Sequence, residues 1–179
     1  MRAIFLVGFM GSGKTTVGEE LARRLGWEFV DLDARIERHE HSTIGEIFRV
    51  RGEAAFRQAE TATLREFLAS PPACGSIVAL GGGAFVRKEN RELLEAWPTV
   101  FLEAPVDELW RRSHHDAVER PLRKDRNQFE SLYRERIPSY QKATLTVDTL
   151  GKDPPSICIE IEKAFRLGGA RLSGPEVLE

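Results

Sequence analysis

Cysteine is nearly missing from this chain. Cys74 and Cys158 are the only two among 179 residues, far apart, without C-x-x-C spacing and without a histidine cluster beside them. That argues against a disulfide framework or a zinc site and leaves two reduced thiols of a cytoplasmic protein as the expectation. An excess of either charge is missing too. With 26 Lys and Arg against 28 Asp and Glu, the formal net charge is −2, so no overall basic field invites nucleic acid. No run approaches 18 apolar residues, so no segment is expected to span a membrane. The opening "MRAIFLVGF" has too short an apolar stretch for a secretion signal, and it runs directly into a glycine-rich motif. Internal repeats and low-complexity segments are absent as well.

What remains is ordinary in amount and informative in arrangement. A chain that is 41% hydrophobic and 30% charged, at this length, predicts one soluble globular domain. Apolar runs at 3–7, 28–32, 77–80, 99–103 and 144–147 read as short buried strands. Helical patterns lie between them. Val17, Leu21 and Leu25 share a face ahead of Gly26, a C-terminal stop. Residues 34–69 are too long for one helix and predict two or three, broken near Ser42 and Gly52, with Ile44, Ile47 and Phe48 as an apolar stripe. Further helices are expected at 87–96, 106–112, 125–142 and 154–167. Strands alternating with helices predict an α/β fold, a three-layer sandwich with a five-stranded parallel sheet covered on both faces. The segment from Gly168 lacks periodicity and is expected to be a flexible tail, 168–179, after a domain of 1–167.

Between the first strand and the first helix stands "GFMGSGKT", which satisfies G-x-x-x-x-G-K-[ST] at Gly8, Gly13, Lys14 and Thr15. Glycines allow the backbone to wrap so that N–H groups point at phosphate oxygens, and the helix dipole adds to that field. Gly11, Ser12, Gly13, Lys14, Thr15 and Thr16 are therefore the expected nucleotide-binding residues. Lys14 would reach the β and γ phosphates of a nucleoside triphosphate, and the Thr15 hydroxyl would bind Mg²⁺.

"FVDLD" puts Asp31 and Asp33 at the end of the second strand, where ligands of open α/β sheets bind. Two residues apart on a strand, both carboxylates would face one cleft. The competing reading has Asp33 capping the next helix and Asp31 in solvent. Arg57 and Glu60 in "AAFRQAE" are three apart on a helix, so the glutamate could hold the guanidinium. The segment 111–126, "RRSHHDAVERPLRKDR", carries six Lys or Arg against three Asp or Glu. It predicts a mobile loop whose arginines could close over phosphates. His114 and His115 in it, like His39 and His41, read as exposed. Arg136 lies just before Pro138, which should end or kink its helix and could leave the arginine as a carboxylate clamp. A second glycine turn, Gly81–Gly83 in "IVALGGGAF", has no phosphate of its own to hold. On its residues alone it is either a tight strand exit or a bare-backbone shelf for a ligand.

Together, "GFMGSGKTTVG", "FVDLDARIE", "IGEIFRVRGEAAFRQAE", "LGGGAF", "ERPL", "RERIPSYQKAT" and "VDT" resemble shikimate kinase, in that family's order and over residues 4 to about 165. The phosphate loop is common to many kinases. The combination of D-x-D, F-R-x-x-E, G-G-G and R-x-P-x-Y is far more specific. The resemblance implies a P-loop kinase fold with a mobile lid at about 112–125 and a shikimate-binding helical region at about 33–62. It implies ATP and Mg²⁺ as cofactors, shikimate as substrate, and a monomer. Lys14, Asp33 and Arg120 would be catalytic, with Arg120 the lid arginine on the transferred phosphate. Asp33, Arg57, Gly81, Gly82, Gly83 and Arg136 would hold shikimate, the two arginines on its carboxylate. Asp31 would join Thr15 at the metal, and Arg112 and Pro154 would sandwich adenine. The segment "SHHDAVE" before Arg120 and Arg123 after Leu122 depart from the family pattern in the lid. A gluconate kinase and a catalytically silent sensor domain are the rival expectations.

Overall fold

The computed structural model describes residues 3–113 and 125–167. Arg120, His114, His115, Arg123, most of the expected lid and the expected tail lie outside the described residues.

The five apolar runs form one sheet: β1 (Ala3–Val7), β2 (Glu28–Asp31), β3 (Ser76–Ala79), β4 (Thr99–Glu103) and β5 (Leu145–Asp148). Their order is β2-β3-β1-β4-β5, and every neighbouring pair is parallel. β1 is central and fully buried along its length because helices cover both faces. Its side chains alternate between two cores. Ala3, Phe5 and Val7 join Phe67, Phe101 and Phe129 on one face, while Ile4 and Leu6 join Leu21, Ile157 and Ile161 on the other. Each such large side chain removed from water contributes about 1.5–3 kcal/mol before entropy is counted.

The helices are α1 (Lys14–Leu25), α2 (Leu32–Glu40), α3 (Ile44–Ala69), α4 (Lys88–Leu93), α5 (Val106–Ser113), α6 (Arg126–Tyr140) and α7 (Pro154–Phe165). α1 stops at Gly26, whose φ of 66° places it in the left-handed region. Thr43 and Glu46 cap α3 reciprocally, which separates it from α2. α3 bends at Gly52, where φ 80° and ψ 171° are not helical. Both breaks fall near the positions expected from sequence. None of the helices among the described residues is long and apolar enough to cross a membrane.

The strand order positions the site. β1 and β3 are neighbours, yet the chain leaves β1 toward β2 on one side and leaves β3 toward β4 on the other. Their carboxyl ends therefore flank a crevice, the place where open α/β sheets bind ligands. Pairing runs up to that edge, with the Leu80 N–H donating to the Leu6 carbonyl at 3.0 Å. The two glycine turns, 8–13 and 81–83, leave these two strands.

Candidate active site

The first turn is shaped by three glycines with positive φ: Gly8 at 149°, Gly11 at 78° and Gly13 at 88°. This curls the backbone around the start of α1, which has no side-chain cap and no acidic residue in its first turn. The helix's first-turn N–H groups and the positive end of its dipole thus face the turn with no acidic side chain beside them, an anion-binding arrangement. Lys14 Nζ donates to the Gly8 carbonyl at 2.9 Å and the Phe9 carbonyl at 3.0 Å. Those bonds hold the ammonium across the mouth of the loop. The Ser12 hydroxyl is buried within the loop without a hydrogen-bond partner, while Thr15 and Thr16 are exposed on the first turn of α1.

A cleft beside this loop is lined by Ser12, Gly13 and Thr16 on one side and by Arg112, Thr149 and Pro154 on the other. Arg112 is fixed rather than free. It donates to Glu108 at 2.7 Å and to the hydroxyl and carbonyl of Thr149, both at 3.1 Å. Hydrogen bonds from Arg111 and Arg112 hold the Glu108 carboxyl down to about 2. Glu108 therefore stays ionised at any working pH and, with Thr149, anchors Arg112 in the cleft lining.

The two aspartates do not share a strand. β2 ends at Asp31 and α2 begins at Leu32, so the alternation argument fails: Asp33 lies in the first turn of a helix. Asp31, not Asp33, is the cap, accepting from the Ala34 N–H at 3.1 Å through one oxygen. Its other oxygen and the Thr15 hydroxyl are hard donors of the kind Mg²⁺ takes, one or two from protein and the rest from phosphate and water. Among the described residues no group of three or more His, Cys, Asp or Glu is placed to hold a metal ion. Asp33 is turned onto the second glycine turn. A β-carbon built on Gly81 would stand 2.5 Å from Asp33 Oδ1.

The other two glycines of that turn are overhung in the same way. A β-carbon on Gly83 would stand 2.5 and 2.6 Å from the terminal nitrogens of Arg57, and one on Gly82 would stand 3.3 Å from Arg136 Nη1. Three glycines thus make room for three head groups, from α2, α3 and α6. Arg57 is braced on its own helix by Glu60 at 3.1 Å and Glu53 at 3.2 Å, and its guanidinium lies 5.1 Å from the centre of the Phe56 ring. Burial raises the Glu60 carboxyl above its ordinary pKa, partly offset by Arg57 and reinforced by the nearby Asp33.

Arg136 is not at a helix break. α6 continues through Pro138 to Tyr140, so Arg136 stands within the helix, just ahead of its last turn, and shares a face with Tyr140 four residues on. The guanidinium lies 5.8 Å from the centre of the Phe9 ring, whose own carbonyl holds Lys14. Gly8 and Gly82 meet as well, with 3.8 Å between the Gly8 carbonyl oxygen and the β-carbon position of Gly82. The phosphate loop and the glycine shelf are adjoining walls of one crevice.

Sequence reasoning did not single out Phe9, Tyr140 or Glu53. The fixed R-x-P-x-Y spacing carried a signal for Tyr140, but a buried aromatic at helical spacing is indistinguishable from core. Phe9 had no signal beyond being a bulky residue inside a glycine loop. Among the described residues, then, the structure gathers Lys14, Asp33, Arg57, Gly81–Gly83 and Arg136 on one crevice, with Arg112 and Pro154 on the cleft next to it.

A profile of the shikimate kinase family matches residues 10–166. A shikimate kinase from Persephonella marina is 41% identical over 162 residues, which cover 90% of this chain and 97% of that protein. A shikimate kinase from Acinetobacter baumannii, solved in complex with shikimate, superposes with a TM-score of 0.82 at 36% identity, covering 93% of each chain. A gluconokinase from Sinorhizobium meliloti aligns over 93% of each chain with a TM-score of 0.59 at 22% identity, a likeness of fold alone.

Proposed function

The chain belongs to the shikimate kinase family, and from that premise we propose that it transfers the γ-phosphoryl group of ATP to the 3-hydroxyl of shikimate, giving shikimate 3-phosphate and ADP. The observation that carries this reading is the Gly81–Gly83 shelf, overhung by one carboxylate and two guanidinium groups beside a phosphate loop. A cyclic acid with several hydroxyls needs that set: planar cations for its carboxylate, a carboxylate for its hydroxyls, and bare backbone against its ring.

Phosphoryl transfer needs position and charge neutralisation more than covalent chemistry. The Gly8–Gly13 backbone and Lys14 would hold the terminal phosphates, with adenine between Arg112 and Pro154. Mg²⁺, held by Thr15 and by Asp31 through water, would neutralise the β and γ oxygens. Arg57 and Arg136 would grip the acceptor's carboxylate, each charge-assisted contact contributing about 1.5–3 kcal/mol. Asp33 would bind the ring hydroxyls and orient the attacking one, accepting its proton as the bond to phosphorus forms. Arg120 would meet the transferred group from the lid. A cytoplasmic monomer is the setting this reading assumes.

ADP release measured with shikimate beside quinate and gluconate tests it. Turnover is expected with shikimate, with kcat/KM for the other two acids at least about 100-fold lower, because a site built to bond each hydroxyl and the carboxylate leaves buried polar groups unpaired with the wrong ring. Comparable turnover of gluconate would replace the acceptor. Saturable binding without ADP release would make the chain a sensor.

A further inference from the structure

Tyr140 is fully buried at the end of α6, its ring stacked on Phe101 with centroids 5.4 Å apart and planes 28° from parallel. Its hydroxyl donates to the carbonyl of Gly82. The two flanking carbonyls are also held, Gly81 by the Ala84 N–H at 3.0 Å and Gly83 by the Val86 N–H at 3.2 Å. The carbonyls just beyond are held from α4: Ala84 by the Asn90 side chain at 2.9 Å, and Phe85 by Arg91 at 2.8 Å. Every carbonyl from Gly81 to Phe85 is therefore engaged on the protein side.

Gly82 differs from its neighbours in one respect. Local turn bonds hold Gly81 and Gly83, whereas a side chain 58 positions away holds Gly82. In a trans peptide the C=O of one residue and the N–H of the next point in opposite directions. A hydroxyl that fixes the Gly82 carbonyl toward α6 therefore aims the Gly83 N–H away from α6. The same hydroxyl is next to the acid-binding arm. A β-carbon on Gly82 would stand 3.7 Å from Tyr140 Oη and 3.3 Å from Arg136 Nη1.

Taking shikimate as the acceptor, as argued above, we propose that Tyr140 is a positioning residue for it: its hydroxyl pins the Gly82 carbonyl, aims the Gly83 N–H at the ring, and buttresses the Arg136 guanidinium from the same helix face. Tyr140 touches no reacting atom. Burial pushes its phenol up to about 12, against the opposing influence of Arg136 and Arg57, so the proton that makes the bond stays in place at any working pH.

The test is Tyr140→Phe, which keeps the ring and its stack on Phe101 and removes the donor alone. KM for shikimate is expected to rise about tenfold, the size of one lost hydrogen bond at a binding surface. KM for ATP and kcat at saturating shikimate should stay within about twofold. Replacing Tyr140 with p-aminophenylalanine, which restores an N–H donor at the same place, should recover at least half of the loss on a logarithmic scale. Tyr133→Phe removes the other tyrosine hydroxyl of α6, bonded to the Ala104 carbonyl at 3.1 Å, and should leave shikimate KM unchanged. Three results overturn the inference: an unchanged shikimate KM in Tyr140→Phe, an equal rise for ATP and shikimate, or an equal rise in Tyr133→Phe. If Tyr140→Phe does not fold, the p-aminophenylalanine protein decides alone, and a tenfold rise in its shikimate KM counts against the inference. Wild-type enzyme without shikimate turnover would instead remove the acceptor assignment, so the two failures are told apart by the unmodified protein.

Discussion

The two glycine turns look alike in sequence and use glycine for opposite reasons. In the first, Gly8, Gly11 and Gly13 all have positive φ, a backbone shape that side-chain-bearing residues resist. In the second, none of Gly81, Gly82 and Gly83 does; Gly83 sits at φ −96°. What the second turn needs is space, because Asp33 and Arg57 would collide with β-carbons on Gly81 and Gly83, and Arg136 closely crowds the one on Gly82. One turn is glycine-rich so that its own backbone can bind, the other so that other elements can reach over it. A consensus pattern cannot separate the two uses, since both write G.

Substitutions at single glycines break or sharpen that contrast. The largest effect is expected for Gly8→Ala. Its φ of 149° is unfavourable, and the new carbon would meet the Leu102 carbonyl at 2.9 Å, a backbone atom that cannot step aside. Strain of that kind costs about 2 kcal/mol or more, which thermal unfolding would show as a drop of roughly 4–8 °C in Tm, with ATP binding lost. Gly83→Ala should behave differently. Its backbone accepts alanine, and the obstructing atoms are the far end of the flexible Arg57 side chain. Expected is a folded enzyme with Tm within roughly 2 °C, ATP KM unchanged, and shikimate KM raised about tenfold by loss of one charged contact. If Gly83→Ala instead unfolds like Gly8→Ala, the two turns are not distinct in kind. The smallest effect belongs to Gly45→Ala, a glycine that serves neither purpose. It lies exposed in the first turn of α3 with nothing within 4 Å of its β-carbon position, so differential scanning fluorimetry should show stabilisation by about 0.5–1 kcal/mol, with kinetics unchanged.

The same contrast explains what was legible in the sequence. Five strands and the phosphate loop could be read because burial on both faces and a fixed-spacing motif are local signals. The Arg57–Glu60 pair could be read because helical spacing makes such neighbours visible. The roles of the aspartates could not be settled locally. D-x-D suggests alternation, but the strand ends between the two residues, which hands the cap to Asp31 and turns Asp33 onto the shelf. The effect of Pro138 was hidden for a similar reason. The helix carries two residues past it, and that short extension puts Tyr140 under Gly82. What an aromatic side chain supports across 58 or 127 positions of chain, as Tyr140 does for Gly82 and Phe9 for Arg136, is decided by the strand order, which no single segment records.

Phe9 limits how separable the two walls are. Its carbonyl holds Lys14 and its ring lies 5.8 Å from the Arg136 guanidinium, and complete burial of the ring leaves it little room to turn independently of the loop. Reshaping the loop to accept a different phosphate donor would disturb the ring and, with it, the Arg136 guanidinium, which under the proposed function reads the acid. Grafting new donor chemistry onto this scaffold is thus inseparable, at this residue, from retuning what the enzyme phosphorylates.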